Sequence, residues 1–481
     1  MVELLIKNAW ILTMDEKKRM IRDGAIAVEN DLIVDVGETD ALKQKYKPDV
    51  VIDASGKAAL PGLINTHMHI CYCILKGIAS DTANRLTWIS SIYPYIEQAK
   101  PDDCYYAALL GCLEMIKGGT TYFVENNPFI TDPKNTDSIM RAVKETGIRA
   151  GVGRMFSDIS APSFLLFDAE ELRSETERLV KTWQGSADGR IQIWIYAPGP
   201  GIRESPKRIA EILEIAKKYN LKLTSHWGES GGGQGSFLGK YRTPTQFLQD
   251  VGYLGPNTLL VHLVTISDEE IQMLSKTGTK AAHCPTANTI RSSRPFQISP
   301  AVKMLKAGVT VGLGTDAAVC NDKSDMFEAM KQAVLLQKLR EGDIRALTAE
   351  KALEMATVNG SKIVGMENQL GTLEIGKKAD IILVNLKKPH IMPIHNITEN
   401  IVYCANAGDV DTVIINGKII MENREVKTVN ENHIIEKVEK VMQNLDEKAK
   451  ERAKPITQMW EKAYKERASL SAHPWFKKKE D

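Results

Sequence analysis

The amino-acid sequence predicts an α/β protein with a (β/α)8 TIM barrel and a small β-sandwich formed from both chain ends. Two observations predict this architecture. In the middle of the chain, apolar runs typical of β-strands alternate eight times with amphipathic, helix-like stretches. At both ends, short apolar runs flank turn-forming dipeptides. A doubly wound open sheet is the alternative for the middle region.

The barrel prediction depends on eight strand and helix patterns and on the polar side chains at the strand ends. The predicted strands lie near 61–66, 120–125, 150–155, 191–197, 221–225, 258–261, 279–282 and 309–315. Helical patterns between them lie at 102–117, 135–146, 168–184, 204–219 and 324–340. Imidazole and carboxylate side chains come directly after five of these strands, and a barrel brings all strand ends to one mouth. The barrel is therefore favoured over the open sheet.

The two chain ends predict one shared β-rich unit. Asn30-Asp31 and Asn416-Gly417 each separate two short apolar runs, which is typical of a tight hairpin, and 379–384 is a further apolar run. The tail carries opposite charges at helical spacing. We therefore expect a β-sandwich from 1–58 and 371–428, a hydrolase barrel at 59–370 and a helical tail at 429–481.

Composition excludes several functional classes. The 481 residues include 62 Lys+Arg and 61 Asp+Glu, so the net charge of +1 argues against binding nucleic acid or an anionic membrane. No apolar run is long enough to cross a membrane, and the N-terminus lacks the pattern of a signal peptide. Seven cysteines in a chain of this length fit a reducing compartment. We expect a cytoplasmic location.

Three histidines are the candidate metal ligands. His67 and His69 are two residues apart at the end of the first strand, where alternation points both side chains into the barrel mouth. His226 comes directly after the fifth strand and supplies a third imidazole. Neutral imidazoles suit Zn²⁺ or Fe²⁺. The fourth strand contains no lysine to be carboxylated and bridge two ions, so one divalent metal, Zn²⁺ or alternatively Fe²⁺, is expected.

Three further residues fit acid–base chemistry. Glu229 lies three positions after His226 and can reach an attacking water without being a metal ligand, and a carboxyl in a partly dry cleft can shuttle protons. His262 ends the sixth strand, where it can orient or polarise the water or the leaving group. Asp316 comes directly after the last strand and can both bind the metal and take a proton from water.

Candidate substrate contacts come from the loops at the mouth. The residues in or near the first three loops are Trp88, Tyr93, Asn126, Arg154 and Phe156. His283 comes directly after the seventh strand, and its role as a structural support or as a substrate contact is left open.

Several motifs of this chain resemble the amidohydrolase superfamily. They are Pro61-Gly62-Leu63-Ile64-Asn65-Thr66-His67-Met68-His69, His226-x-x-Glu229, Val261-His262, His283-Cys284-Pro285-Thr286-Ala287-Asn288, Gly314-Thr315-Asp316 and Gly371-Thr372-Leu373-Glu374-Ile375-Gly376-Lys377-Lys378-Ala379-Asp380-Ile381. Within it, the chain is similar to aminohydrolases of aromatic N-heterocycles, namely the methylthioadenosine/S-adenosylhomocysteine deaminases and the s-triazine hydrolases. Leu86-Thr87-Trp88, residues 154–158 and residues 411–417 resemble the triazine branch.

The resemblance implies roles for these residues. It implies that His67, His69, His226 and Asp316 hold one divalent metal. It further implies that Glu229 protonates the ring nitrogen next to the attacked carbon. His262 would then steady the water or tetrahedral oxygen, and Asp316 would relay a proton to the leaving ammonia.

The chain also departs from the triazine pattern, and this leaves the substrate open. Cys320 stands where a hydroxyl or thiol faces the substrate, while Ala317 replaces a polar residue and Cys284 replaces a more usual asparagine.

We therefore expect hydrolytic loss of ammonia from an adenosine-type nucleoside, an aminotriazine or an aminopterin. Dechlorination of an s-triazine, or deamination of guanine or another nucleobase, is the alternative. Two non-hydrolytic hypotheses are a structural subunit and a metal-dependent decarboxylase or isomerase. The expected partner is a small heteroaromatic substrate, with neither nucleic acid nor membrane, and the chain is expected to form a homo-oligomer.

Overall fold

The computed structural model describes residues 2–81, 85–229, 241, 243–291 and 298–470. Its strands, numbered in chain order, are β1 (Val2–Leu12), β2 (Met20–Glu29), β3 (Leu32–Glu38), β4 (Pro48–Asp53), β5 (Lys57–Pro61), β6 (Leu63–Met68), β7 (Thr120–Asn127), β8 (Arg149–Met155), β9 (Ile191–Tyr196), β10 (Lys222–Trp227), β11 (Thr258–His262), β12 (Lys280–His283), β13 (Val311–Leu313), β14 (Ile381–Asn385), β15 (Val410–Ile415), β16 (Lys418–Glu422) and β17 (Glu425–Val426).

The helices lie mostly between the barrel strands and after them. They are α1 (Thr39–Lys45), α2 (Arg85–Gln98), α3 (Pro101–Lys117), α4 (Pro133–Thr146), α5 (Ala169–Trp183), α6 (Ser186–Gly189), α7 (Pro206–Tyr219), α8 (Pro244–Asp250), α9 (Asp268–Thr277), α10 (Pro285–Arg291), α11 (Ala301–Lys306), α12 (Ala318–Asn321), α13 (Met326–Glu341), α14 (Ala349–Ala356), α15 (Val358–Val364), α16 (Ile397–Tyr403) and α17 (Glu431–Leu470). No helix in the described part of the chain is long and apolar enough to span a membrane.

Strands β6 to β13 form a parallel sheet in chain order that curls into a nearly closed barrel, as predicted. Their ends differ from the predicted ends by at most two residues. At the seam between first and last strands, the Thr66 hydroxyl donates to the Leu313 carbonyl over 2.8 Å, and the Asp316 amide donates to the His67 carbonyl over 3.0 Å. The eight carboxyl ends therefore meet at one mouth.

One predicted boundary is wrong in an informative way. Pro61, expected in the first barrel strand, ends β5 in the other sheet, and Gly62 separates the two strands. A Cβ added to Gly62 would lie 2.1 Å from the Thr121 hydroxyl oxygen, so no larger residue fits at this crossing. Glycine therefore allows the chain to pass from one sheet to the other without a loop.

The second sheet joins both chain ends, as expected from the hairpin patterns. Its order is β17-β16-β15-β14-β5-β1-β2-β3, with β4 also paired to β1, and the antiparallel β5–β14 pair links the two ends of the chain. Asn416 and Gly417 form the turn between β15 and β16 with φ of 55° and 75°, the left-handed values that such a turn requires. This sheet folds around its own apolar cluster, which includes Leu4, Ile26 and Ile381.

A buried ion pair attaches this sheet to the base of the barrel. Arg149, the first residue of β8, donates to both carboxylate oxygens of Asp380 over 2.7 and 2.9 Å, and to the Asn416 side-chain oxygen over 2.7 Å. The Asn416 amide also donates to Asp380 over 2.9 Å. These bonds satisfy the buried charges and fix the sheet at the end of the barrel opposite the mouth.

Local signals explain where the barrel helices begin and end. Ser205 caps α7 by accepting from the Arg208 amide over 3.1 Å, and Pro206 occupies the first helical position. Asn220 ends the same helix in the left-handed conformation with φ of 51°. Asp168 and Glu171 form a reciprocal capping box at the start of α5. Short, well-capped helices return the chain to the base, so that each next strand rises towards the mouth.

Candidate metal centre and acid–base residues

The structure brings five of the sequence-predicted residues together at the mouth of the barrel. His67 lies in β6, His69 comes directly after it, His226 lies in β10, His262 ends β11, and Asp316 comes after β13. Four are almost completely buried, and His226 is partly buried. Residues from four strands thus converge because they occupy corresponding strand ends.

The nitrogen atoms of the three predicted metal ligands face one another. His226 Nε2 lies 3.2 Å from His69 Nε2 and 3.3 Å from His67 Nε2. Asp316 Oδ1 lies 3.3 Å from His67 Nε2 and 3.6 Å from His69 Nε2. A tetrahedral ion with bonds of about 2.0–2.1 Å separates its ligands by roughly 3.3–3.4 Å. The observed spacing therefore fits a single small divalent ion.

Contacts of the other ring nitrogens support this orientation. His69 Nδ1 lies 2.5 Å from the Asn126 carbonyl, to which it donates, so its Nε2 carries a lone pair. His226 Nδ1 lies 3.2 Å from the Tyr196 hydroxyl. Hydrogen bonds of this kind fix the tautomer and the ring plane of a metal-binding histidine. Without a cation, these converging lone pairs would repel one another.

Burial controls the charge state of the cluster. It lowers the pKa of His67 and His226, and it lowers the pKa of His69 to about 3, so all three rings are neutral at neutral pH. Burial alone would raise the pKa of Asp316, but its interactions with His67, His262 and His69 outweigh that effect and hold the pKa well below its usual range. Neutral imidazoles with one carboxylate are the protonation states that metal binding requires.

The residues just before Asp316 pack closely against the first barrel strand, which restricts the side chains that fit there. A Cβ on Gly314 would lie 2.8 Å from the Cβ of His67. Thr315 exchanges two hydrogen bonds with Asn65, of 2.7 and 3.1 Å, which tie the last strand to the first. Asp316 and His262 have φ of 62° and 77°, a strained conformation for non-glycine residues. Such strain persists where surrounding contacts enforce it, and it often marks a functional site.

His262 lies beside the cluster with a partner of its own. Its Nε2 is 3.8 Å from Asp316 Oδ2, and its Nδ1 is 2.9 Å from the side-chain oxygen of Asn288 in α10. When Nδ1 donates to Asn288, Nε2 faces the space next to Asp316 as an acceptor. Glu229 comes after β10 and is partly buried, and it interacts electrostatically with His67 and Cys284. Both residues thus border the same space.

The predicted substrate contacts are placed differently from one another. His283 is fully buried, and neither ring nitrogen has a hydrogen-bond partner among the described residues. Cys320 is buried in α12, near Tyr72 and Cys284. The carbonyl of Asn126 orients His69, and its buried side-chain amide has no partner within the described ranges.

Arg154 and Phe156, two other predicted substrate contacts, pack against each other, and Arg154 also faces α5. The guanidinium of Arg154 lies 4.5 Å from the Phe156 ring centre and 4.6 Å from that of Phe167. Its Nε is 3.7 Å from a carboxylate oxygen of Glu175 in α5. These contacts direct Arg154 towards α5, away from the histidine cluster. Trp88 lies in α2, with its ring centre 6.4 Å from that of Tyr93.

A family model and close relatives match most of the chain. The model described as the amidohydrolase family matches residues 58–420. A 5-methylthioadenosine/S-adenosylhomocysteine deaminase of Thermoanaerobacter pseudethanolicus is 37% identical over 451 residues, covering 93% of this chain and 99% of the relative. The chain belongs to the amidohydrolase family. A 5'-deoxyadenosine deaminase of Methanosarcina acetivorans is 36% identical over 447 residues, covering 92% of this amidohydrolase and 99% of the relative.

Solved structures show the same fold at lower sequence identity. An adenosine deaminase from Xanthomonas campestris with bound zinc has a TM-score of 0.86 at 24% identity, covering 92% of the amidohydrolase and 99% of that chain. An atrazine chlorohydrolase from Arthrobacter aurescens complexed with zinc has a TM-score of 0.83 at 22% identity, covering 91% of the amidohydrolase and 100% of that chain. The two structures bear out the barrel architecture.

Sequence reasoning missed three residues that support the cluster. They are Tyr196 beside His226, Asn288 beside His262, and Glu125, whose carboxyl accepts from the Ile70 amide over 2.6 Å. Burial raises the pKa of Glu125 well above its usual value, which favours the protonated form. Asn288 lies in a motif that carries the family resemblance, but its partner is 26 residues away and became visible only in the fold.

Proposed function

We propose that this amidohydrolase is a metal-dependent deaminase that removes the amino group of an adenosine-type purine nucleoside and releases ammonia. The observation that carries the proposal is the convergence of three imidazole nitrogens and Asp316 next to two proton-transfer residues, Glu229 and His262. This set fits hydrolysis of a ring carbon–nitrogen bond, which needs an activated water and an acid for a poor leaving group.

His67, His69, His226 and Asp316 are the proposed holders of one divalent metal, Zn²⁺ or Fe²⁺. Support comes from the ligand spacing of 3.2–3.6 Å and from β9, which contains no lysine. Both the adenosine deaminase and the atrazine chlorohydrolase of the same fold contain zinc. When bound, the metal acts as a Lewis acid that lowers the pKa of a water molecule to about 7.

The remaining residues move protons. Glu229 donates a proton to the ring nitrogen beside the attacked carbon, which makes that carbon more electrophilic. Asp316 accepts a proton from the attacking water, and His262, whose Nε2 lies 3.8 Å from Asp316 Oδ2, steadies the water oxygen. The new carbon–oxygen bond forms, the carbon–nitrogen bond breaks, and Asp316 passes its proton to the leaving amine, which departs as ammonia. The hydroxyl group left on the ring carbon gives its proton back to Glu229, which produces the ring carbonyl and restores the acid.

The six proposed substrate contacts differ in their structural support. His283 has support from its two ring nitrogens, which have no partner among the residues that the structure describes, and Asn126 has support from its buried side-chain amide. Cys320 lies near Tyr72, which packs against His69 with ring centres 5.4 Å apart. Trp88 lies on α2, Arg154 near the end of β8 and Phe156 directly after β8, where they would shape the pocket rather than contact the reacting carbon.

The choice of an adenosine-type substrate is based on the relatives. Two relatives with 36–37% identity over nearly the whole chain are named as deaminases of adenosine derivatives. The atrazine chlorohydrolase is 22% identical, which supports a common fold and nothing about substrate. We therefore favour an adenosine derivative over an aminotriazine, and loss of ammonia over loss of chloride.

A substrate panel tests the proposal. Ammonia release is measured from adenosine, 5'-deoxyadenosine, 5'-methylthioadenosine, S-adenosylhomocysteine, guanine, an aminopterin and melamine, and chloride release from a chlorotriazine. We expect the highest kcat/KM with one of the adenosine derivatives. Faster release of chloride from the chlorotriazine, or the absence of ammonia release from every adenosine derivative, would refute the assignment.

Asn288 is a proposed positioning residue for His262. Asn288→Ala removes the acceptor of the 2.9 Å bond to Nδ1, so the ring loses its fixed tautomer, and kcat/KM is expected to fall about 10–100-fold with the metal retained. Asn288→Asp keeps an acceptor oxygen and should recover part of that loss. An alanine variant with unchanged kcat/KM would show that His262 needs no such partner.

Three organisational features are also proposals. We propose the sandwich segments 1–58 and 371–428, the barrel at 59–370 and the tail at 429–481 as the units of the chain, with β5 extending the first sandwich segment to Pro61. A cytoplasmic location is supported by the seven cysteine side chains, none of which forms a disulfide bond within the described part of the chain. A homo-oligomer is also proposed, and light scattering of the purified protein measures it directly.

A further inference from the structure

The long C-terminal helix reaches the mouth of the barrel. At its start, Glu431 pairs with Lys117, the last residue of α3 on the base side, with a closest distance of 2.7 Å. Near its far end, Trp460 packs against Tyr93 of α2 and Arg203 of the loop after β9, both on the mouth side. The 29 positions between these contacts span roughly 44 Å of helix, which is enough to extend from the base of the barrel to its mouth. This helix lies outside the matched family region 58–420.

Three sets of contacts hold α17, from Asp446 onwards, to α2. The Tyr95 hydroxyl lies 2.7 Å from Asp446 Oδ1. Arg452 donates to both carboxylate oxygens of Glu97 over 2.6 and 2.5 Å, a two-bond geometry that fixes the relative position of the two helices. Trp460 completes the contact two helical turns further on. Since α2 also carries Trp88, the position of this helix affects the mouth directly.

Trp460 is fully buried although it lies near the end of a charged helix. Its ring centre is 4.8 Å from that of Tyr93, with planes at 76°, and the Arg203 guanidinium lies 4.8 Å from its ring centre. Edge-to-face aromatic contacts and cation–π contacts each favour one orientation of the partner. Trp460 thus contacts two side chains that come from different segments at the mouth, α2 and the loop after β9.

The two side chains that contact Trp460 interact with tyrosines beside the histidine cluster. Tyr93 and Arg203 both act electrostatically on Tyr72 and Tyr196. Tyr72 packs against His69 with ring centres 5.4 Å apart, and the Tyr196 hydroxyl contacts His226 Nδ1. Trp460 therefore packs directly on two side chains that act electrostatically on the tyrosines beside His69 and His226, and Tyr93 also packs on Trp88 with ring centres 6.4 Å apart.

We propose that the far half of α17 is a wall of the substrate entrance and that Trp460 is a specificity-determining positioning residue, which holds Tyr93 and Arg203 where they meet the substrate. This inference rests on the proposed deaminase function. Because Trp460 acts through Tyr93 and Arg203 and does not contact the acid–base residues, its contribution is to substrate affinity rather than to the rate of the chemical step.

The test compares two Trp460 variants with a matched control. Trp460→Ala removes the ring that contacts Tyr93 and Arg203. We expect KM to rise about tenfold while kcat changes less than about threefold, the pattern of lost ground-state binding. Trp460→Phe keeps an aromatic edge and should restore most of the affinity. Trp183→Ala removes a partly buried tryptophan of α5, far from the mouth, and is expected to leave KM unchanged.

Arg452→Gln provides a second variant that keeps the tryptophan. It breaks the ion pair with Glu97 and should shift KM in the same direction by a smaller factor. Hydrogen exchange of residues 87–98 should become faster in Trp460→Ala than in Trp183→Ala, a readout that needs no turnover. An unchanged KM in Trp460→Ala, a loss confined to kcat, or an equal KM shift in Trp183→Ala would each overturn the inference.

The order of the experiments separates the two proposals. The substrate panel is run first on the unaltered protein, and KM and kcat of the variants are then measured with whichever heterocycle it deaminates. Absence of turnover throughout the panel contradicts the proposed function. Turnover by the unaltered protein together with an unchanged KM in Trp460→Ala contradicts only the role of α17.

Discussion

Replacing His67 by alanine is expected to strip the metal and abolish turnover. His67 Nε2 lies 3.3 Å from both His226 Nε2 and Asp316 Oδ1, so it occupies one corner of the ligand set and is fully buried. A methyl group at this position supplies no donor atom, and a site with one ligand fewer loses affinity steeply. Mass-spectrometric metal analysis and ammonia release measure the two effects in the same preparation.

His433→Ala is the matched control, because His433 is an exposed histidine of α17 away from the mouth. This variant should keep both the metal and the activity. The unaltered protein should contain about one Zn²⁺ or Fe²⁺ per chain. A content of two ions per chain would contradict the single-metal site, and full metal content in His67→Ala would remove His67 from the ligand set.

Glu229→Gln is expected to keep the metal and to lower kcat by about 10²–10⁴-fold, which is the usual contribution of a positioned acid or base. The amide has the size of the carboxyl but cannot donate the acidic proton to the ring nitrogen. Glu229 lies three positions after His226 at the end of β10, close enough for its charge to act on His67. Steady-state kinetics with metal analysis measure both parts of the prediction.

Glu214→Gln provides the comparison for that variant. The side chain of Glu214 in α7 is 75% exposed, so the same chemical change there should leave kcat unaltered. Equal kcat values for Glu229→Gln and the unaltered protein would remove Glu229 from the mechanism. Loss of the metal in Glu229→Gln would instead place this residue among the ligands.

The convergence of the proposed metal ligands was predictable because their positions obey two simple rules. Residues two apart on a strand point the same way, which pairs His67 with His69. Carboxyl ends of barrel strands meet at one mouth, which brings His226 and Asp316 to that pair although they are distant in sequence. The supporting residues were not predictable in this way. Tyr196 and Asn288 act through single contacts that depend on side-chain direction and on the exact path of a loop.

The same distinction applies to the C-terminal helix. Its charged pattern predicts a helix, and the structure has one at Glu431–Leu470. Nothing in that pattern indicates that Arg452 pairs with Glu97, 355 residues earlier, or that Trp460 is buried against α2. A helical pattern shows which residues share a face, whereas the surface that the face covers depends on how the rest of the chain is packed.

By itself, the sequence determined the alternation of strands and helices, the hairpins at both ends and the residue types at each strand end. These depend on local periodicity and turn chemistry, which act between near neighbours. Only the tertiary structure decided that Pro61 ends a strand of the second sheet, that Arg149 pairs with Asp380, and that α17 reaches the mouth. Such contacts join residues hundreds of positions apart, and their energies depend on burial and distance, which exist only once the chain has folded.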